Sequence, residues 1–75
     1  MFRGSRAKAK LKKHGYTIQV SQGTRNCYVV YRISDGKRVG LIWWYGDGWS
    51  EQHSQDIRFS TPEEAALLRW GDEFL

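Results

Sequence analysis

An Asp-Gly pair between two runs of strand-forming residues constrains the fold of this chain more than any other feature. Residues 27–33 and 39–45 are both rich in β-branched and aromatic side chains, and Asp35-Gly36 separates them. Asp-Gly suits a two-residue type I′ turn, because both turn positions need positive φ. The sequence therefore predicts an antiparallel hairpin with apolar side chains on both faces. Its predicted cross-strand pairs are Tyr31 with Gly40, Val29 with Ile42, and Cys27 with Trp44.

Two more strands are predicted beside this hairpin. Residues 16–20 alternate between apolar and polar side chains with a period of two, which is typical of a strand with one buried face. The glycine-rich segment 46–48 indicates a turn before a strand at residues 49–53.

The pairing at this second turn has two alternatives. A two-residue turn at Asp47-Gly48 places Trp49 opposite Gly46, whereas a three-residue loop places Trp49 opposite Tyr45. The choice matters because a shift of one residue moves Trp49 to the other face of the sheet.

Helix signals occur near both ends of the chain. The motif Thr-Pro-Glu-Glu at residues 61–64 combines an N-cap, a proline at the first helical position and a capping-box glutamate, and it predicts a helix to Trp70 that stops at Gly71. A shorter helix is predicted over residues 5–14, with Ser5 as N-cap and the C-cap glycine directly after it. Being too short to be stable alone, this helix either docks through Leu11 or remains an arm that orders on binding.

These elements predict an α+β fold with the order α-β-β-β-β-α. A small antiparallel sheet of three or four strands packs on the C-terminal helix, and a chain of 75 residues has no room for a second core. We expect a single small domain over residues 15–75, preceded by a basic helix or arm over residues 1–14.

The positive charge of the chain is confined to one segment. Residues 1–14 carry six basic residues and no acidic residue, whereas residues 15–75 carry six basic and eight acidic residues. A basic cluster on one element is the pattern expected for contact with phosphates, although a solubilising tail has the same composition. The residues predicted to contact nucleic acid are Arg3, Arg6, Lys8, Lys10, Lys12, Lys13, Arg25, Arg32 and Arg38.

An aromatic cluster is the second unusual feature. Consecutive strand residues point to opposite faces, so one of Trp43 and Trp44 enters the core and the other lies on the second face. An exposed aromatic ring beside Arg32 or Arg38 could stack on unpaired bases or anchor a protein interface. The alternative is that the first helix covers that face and that every aromatic ring belongs to the core. The predicted interface aromatics are Trp43, Trp44, Tyr45 and Trp49.

Catalytic, metal and cofactor sites have little support in the sequence. His14 and His53 are the only histidines and Cys27 is the only cysteine, so no catalytic triad or metal-ligand spacing is recognisable. We expect a non-enzymatic protein without a metal or cofactor. No apolar run is long enough for a signal peptide or a membrane span. The single cysteine cannot form an internal disulfide, which fits a reducing compartment. We therefore expect a cytoplasmic location.

Two resemblances bear on function. The run Leu-Lys-Lys-His-Gly-Tyr at residues 11–16, a strand, a Gln-Gly-Thr turn at residues 22–24 and a strand through Tyr28 resemble the opening of HicA-type mRNA interferase toxins. The resemblance implies their double-stranded-RNA-binding-like fold. Where those toxins carry a catalytic histidine, this chain has Arg25 and Asn26, so it implies nucleic-acid contact without nuclease activity.

The second resemblance is to short proteins encoded by phages and mobile elements. Their hairpin of the form Tyr-x-Ile-x-Asp-Gly-Lys and their closing Phe-Ser-Thr-Pro-Glu-Glu-Ala helix are similar to residues 31–37 and 59–65. Such proteins act by binding to nucleic acid or to a host complex that they inhibit.

Two functions follow as expectations. The leading one is a non-enzymatic nucleic-acid-binding protein, monomeric or a small homo-oligomer, that contacts phosphates of DNA or RNA through its basic N-terminal segment. The alternative is an inhibitor or adaptor of a host protein complex, of the anti-defence or anti-CRISPR kind, that binds through the basic helix or an aromatic sheet face.

Overall fold

The computed structural model describes residues 3–71, with side chains from residue 6 onward. Its elements follow the predicted order α-β-β-β-β-α and confirm the α+β class with four strands. They are α1 (Arg3–Lys13), β1 (Tyr16–Val20), β2 (Cys27–Arg32), β3 (Arg38–Trp44), β4 (Trp49–Glu51) and α2 (Pro62–Trp70).

Both helices pack on one face of an antiparallel sheet with the strand order β1-β2-β3-β4. The sheet contributes one buried aliphatic side chain from each of its first three strands, and these chains meet small and aliphatic residues of α1 and α2. The first helix is thus part of the same core as the rest of the domain. The buried cluster consists of Ala7, Leu11, Ile18, Val30, Ile42, Ala65, Ala66 and Leu67.

The basic helix α1 docks on the sheet by a narrow stripe. Ala7 and Leu11 are one turn apart and both are buried, as the docking alternative predicted. The helix ends before Gly15, whose φ of +90° is the left-handed conformation expected after a helix C-cap. The predicted N-cap at Ser5 is wrong, because the helical backbone already begins at Arg3.

The register of the central hairpin differs from the prediction by one residue at Cys27 and by two residues at Tyr31, which lies opposite Arg38 and not Gly40. Cys27 lies opposite Trp43, not Trp44. The loop is longer than expected, since the Arg32 N–H donates to the Lys37 carbonyl at 2.9 Å and leaves four residues between them. Of the Asp-Gly pair only Gly36 has positive φ, so a type I′ turn does not form. A β-bulge between Val30 and Tyr31 accounts for the change of register along this ladder.

The second turn also differs from both predicted alternatives. The Tyr45 N–H donates to the Gly48 carbonyl at 2.9 Å, and Trp44 lies opposite Trp49. The two turn residues are therefore Gly46 and Asp47. Gly46 has a φ of +94°, which meets the requirement for glycine at the first position of a type II′ turn.

The local signals of α2 are confirmed. The Thr61 hydroxyl accepts a hydrogen bond from the Glu64 N–H at 3.2 Å, and Pro62 is the first helical residue. Gly71 ends the helix by donating its N–H to the Leu67 carbonyl at 3.0 Å. The helix is held on the sheet at its end by Trp70.

Gly40 is the strand position that admits Trp70. A Cβ atom at residue 40 would lie 2.2 Å from the nearest atom of the Trp70 ring, whereas a Cβ atom at Gly23 would have no atom within 4 Å. The absence of a side chain at residue 40 is therefore needed for α2 to pack on β3.

We expect Gly40→Ala to lower the free energy of unfolding by about 1 to 3 kcal/mol, the usual effect of overpacking a core. Gly23→Ala, the matched control in an open loop, should change it by less than about 0.5 kcal/mol. Urea unfolding followed by tryptophan fluorescence measures both. Equal stability of the two variants would contradict the close packing of Trp70 on Gly40.

Candidate nucleic-acid interface

The basic side chains of α1 form a fixed array on the surface of the domain. Because the buried stripe sets the rotation of the helix, the charged positions on either side of it must face outward. All five basic side chains of α1 that the structure describes are exposed. They are Arg6, Lys8, Lys10, Lys12 and Lys13, while the side chain of Arg3 lies outside the described residues.

The two flanks of α1 have different surroundings. Arg6 and Lys10 line a small groove toward α2 together with Glu64. On the opposite flank, Lys8 and Lys12 are four residues apart and form no ion pair with any described residue. This second flank is therefore a row of positive charge without a compensating carboxylate in the described part of the chain.

The three arginines predicted outside α1 lie at different places. Arg25 is exposed in the loop between β1 and β2. Arg32 lies at the end of β2, where its guanidinium is 2.7 Å from the Asp35 carboxylate. Arg38 is exposed at the start of β3 and pairs across the ladder with Tyr31.

The ion pair of Arg32 stabilises the hairpin loop. The Asp35 carboxylate accepts hydrogen bonds from the Arg32 guanidinium and from the Lys37 N–H, the latter at 3.1 Å. These contacts, that of Arg32 foremost, lower the pKa of Asp35 from its ordinary value of 3.8. Arg32 is thus already occupied by a carboxylate, which weakens its role as a phosphate contact.

The sheet face opposite the helices is not covered by a helix within residues 3–71. Tyr31 lies there between Thr17 of β1 and Arg38 of β3, its partners in the two ladders. The next positions along this face are occupied by Gln19, Val29, Leu41, Cys27 and Trp43. We call these eight residues the open face.

The predicted interface aromatics divide between the two faces of the sheet. Trp43 is half-buried on the open face, and Tyr45 follows on the same side with the Arg58 guanidinium 4.6 Å above its ring. Trp44 and Trp49 lie on the helix side, with ring centroids 5.5 Å apart. Trp44 faces the helix side but is 40% exposed, and neither Trp43 nor Trp44 belongs to the core cluster, so the prediction that one of them enters the core is wrong.

The predicted site residues therefore do not form one surface, and the two main groups lie on opposite sides of the sheet. The basic array of α1 lies on the helix side of the sheet, and Arg38 lies with Trp43 on the open face. Tyr31 was not among the predicted site residues, although the structure places it beside Arg38. The alternation of Thr17 and Gln19 in β1 was the sequence signal for a partly polar second face.

Cys27 is buried at the start of β2. Burial raises the pKa of its thiol, and the positive charge of Arg38 acts in the opposite direction. A buried thiol with a raised pKa is a weak nucleophile, as expected of a structural cysteine.

Searches of the described residues found neither a membrane-spanning helix nor a metal-binding cluster. Within residues 3–71 no helix is long and apolar enough to cross a membrane. In the same range, no group of three or more histidine, cysteine, aspartate or glutamate side chains is placed to hold a metal ion.

Comparisons with protein-family models, curated protein sequences and solved structures found no match to this chain. The two resemblances drawn from the sequence therefore stay predictions, and the functional assignment depends on the geometry of the two surfaces.

The pKa of Asp35 provides a test of the hairpin ion pair. The lowered pKa means that ionised Asp35 stabilises the loop at neutral pH and that this contribution is lost as the pH falls through the folded-state pKa, below 3.8. In Arg32→Gln the pKa of Asp35 should rise toward 3.8, whereas Lys37→Gln keeps the main contact and should leave it low. Carbon-detected NMR titration of the carboxyl group measures both, and an unchanged pKa in Arg32→Gln would contradict the pairing.

Proposed function

We propose that this protein is a non-enzymatic, cytoplasmic nucleic-acid-binding module that contacts the phosphate backbone through α1. The observation that carries the proposal is the exposed basic array on a helix whose rotation is fixed by the burial of Ala7 and Leu11. Lysines and arginines displayed in this way neutralise phosphates and release condensed counterions, which drives binding in low salt.

The electrostatics of α1 in the free protein support this role. The first turn of α1 contains no acidic residue. Lys8 and Lys12 are like charges at positions i and i+4, an arrangement that destabilises a helix by about 0.2 to 0.5 kcal/mol per pair. A phosphate between such side chains replaces repulsion with attraction. A helix that served only to bury Ala7 and Leu11 would not need five exposed basic side chains and no acidic one among its described residues.

Docking of α1 also lowers the cost of binding. A disordered basic arm would lose conformational entropy when it ordered on a nucleic acid. Because α1 is already held by the core, its backbone is in place before the encounter and only the lysine and arginine side chains have to be ordered.

A second candidate function is supported by the exposed aromatic cluster on the helix side. Trp44 is 40% exposed, and Val20, the last residue of β1, is 57% exposed. Exposed tryptophan beside apolar surface is typical of protein interfaces. An inhibitor or adaptor of a host protein complex would dock here. Loss of a copurifying protein in Trp44→Ala, with unchanged nucleic-acid binding, would support this candidate.

The salt dependence of binding tests the leading proposal. We expect duplex DNA or RNA to bind in about 50 mM salt and to be released as salt rises, with a log–log slope close to −0.9 for each phosphate neutralised. The double variant Lys8→Gln/Lys12→Gln should weaken binding on all sequences and reduce the slope by about 2. Fluorescence anisotropy with labelled duplexes measures both quantities.

Lys37 provides the charge control, since it is the only lysine outside α1. Lys37→Gln should change the slope by less than Lys12→Gln, although the two variants lose the same charge. The proposal is wrong if the protein binds neither duplexes nor single strands in low salt, or if the Lys8 and Lys12 substitutions leave both affinity and slope unchanged.

A further inference from the structure

We infer that the open face is a second nucleic-acid contact surface, which binds an unpaired base by stacking it on the Tyr31 ring. This inference depends on the proposed function for the class of ligand, and it extends that function from the phosphate backbone to single-stranded segments.

The centre of the surface is the row formed by Thr17, Tyr31 and Arg38. Directly opposed side chains on neighbouring strands have Cβ atoms about 5 Å apart, so these three form one contiguous strip across β1, β2 and β3. The strip provides a hydroxyl group, a half-buried aromatic ring and an exposed guanidinium. These groups match the hydrogen-bonding edge, the flat surface and the phosphate of a nucleotide.

A depression of about 500 Å³ lies at the Thr17 and Tyr31 end of this strip, and Arg38 is next to it on β3, outside its lining. Thr17, Gln19 and Tyr31 line it from the strands, and the residues beginning and ending the hairpin loop close one side. The Gln19 amide carries both a donor and an acceptor, as the Watson–Crick edge of a base does. The depression therefore has room for a base and polar groups to hold its edge.

The charge of the open face favours nucleic acid. The only acidic residue in any of the four strands is Glu51, and Glu51 is buried under α2, where it lies 3.8 Å from Arg69. Arg38 forms no ion pair with a described residue. The strands thus present a positive charge and no carboxylate to a strand of phosphates.

A protein partner would need an exposed apolar patch, which the open face does not provide. Val29 and Cys27 are buried among their own neighbours. Of the large hydrophobic residues that are exposed in the described part of the chain, Ile33 borders the depression, and the others lie on the helix side or after β4. The full set is Val20, Ile33, Trp44 and Ile57. The neighbours of Tyr31 on the open face are Thr17, Gln19 and Arg38. An aromatic ring among polar and basic residues is the pattern by which sheet proteins stack bases of single strands.

Binding of one labelled single strand of about 12 nucleotides, within the site size of sheet-based binders, is compared with binding of the blunt duplex that contains it. Tyr31→Ala should weaken single-strand binding about tenfold and leave duplex binding unchanged. Tyr31→Phe keeps the ring and should retain single-strand affinity. Because Tyr31 carries no charge, its removal should not change the salt slope, whereas Lys8→Gln/Lys12→Gln should.

Arg38→Gln gives a second measurement that does not depend on a half-buried aromatic residue. It should reduce the single-strand salt slope by about 0.7, the value for one phosphate of a single strand. Circular dichroism melting identifies any variant that fails to fold. If Tyr31→Ala fails to fold, the single-strand affinity and salt slope of Tyr31→Phe, which should match the wild type, are compared with those of Arg38→Gln, which should be reduced.

Each further outcome bears on one hypothesis. Equal single-strand affinity in wild type, Tyr31→Ala and Arg38→Gln, with salt-dependent duplex binding intact, overturns the inference and leaves the proposed function standing. Loss of single-strand binding in Tyr31→Ala without any effect of the α1 substitutions supports the inference and contradicts the role of α1. If Tyr31→Ala leaves oligonucleotide binding unchanged but converts a dimer of the free protein to monomer in sedimentation, a second copy of the chain occupies the open face and the inference is wrong.

Discussion

Ala7 and Leu11 of α1 are buried in the same core as Ala65, Ala66 and Leu67 of α2, and the remaining surface of the domain depends on this shared packing. Alanine at three of these positions lets the two helices lie close together on one face of a four-stranded sheet. That arrangement fixes the rotation of α1 and so displays its lysines as a rigid array. It also leaves no helix in the described part of the chain to cover the opposite face.

The edge strand β4 shows how a small domain holds a short strand in place. Three residues make few ladder hydrogen bonds, so contacts from the following segment add to them. Phe59 pairs with Trp49 through two backbone hydrogen bonds of 2.9 Å. On the same side of the sheet as the open face, the Ser50 hydroxyl donates to the Ile57 carbonyl and accepts from the Arg58 guanidinium. This segment crosses only the β4 end of the sheet, and the strip around Tyr31 lies beyond its contacts.

Features encoded by local chemistry were predictable from the sequence. The capping box of α2 and the strand β1 depend on interactions within a few residues, and both elements are confirmed, although Val20 on the predicted buried face of β1 is 57% exposed. The registers of both turns were not predictable, because loop length depends on contacts that adjacent residues do not reveal. The bidentate contact of Arg32 with Asp35 favours a four-residue loop over the two-residue turn that Asp-Gly suggests.

The same limit explains how well the candidate site was predicted. The basic array on α1 could be read from residue spacing, because a helix places its charges by its own geometry. The open face required the register of three strands and the side on which α1 docks. The predicted register between β2 and β3 placed Trp44 opposite Cys27, whereas Trp43 lies there in the structure. The row through Tyr31 could not be predicted from the wrong register.

The placement of the two surfaces has a geometric consequence for any nucleic acid that contacts both. They lie on opposite sides of a domain whose extents are 32 × 27 × 25 Å, so one straight segment cannot touch α1 and Tyr31 together. A backbone held by the lysines of α1 and an unpaired base held by Tyr31 must belong to two strands, or to a strand that turns around the edge of the sheet. If both proposed contacts are made, they therefore require a ligand in which duplex and single strand meet, not a continuous duplex.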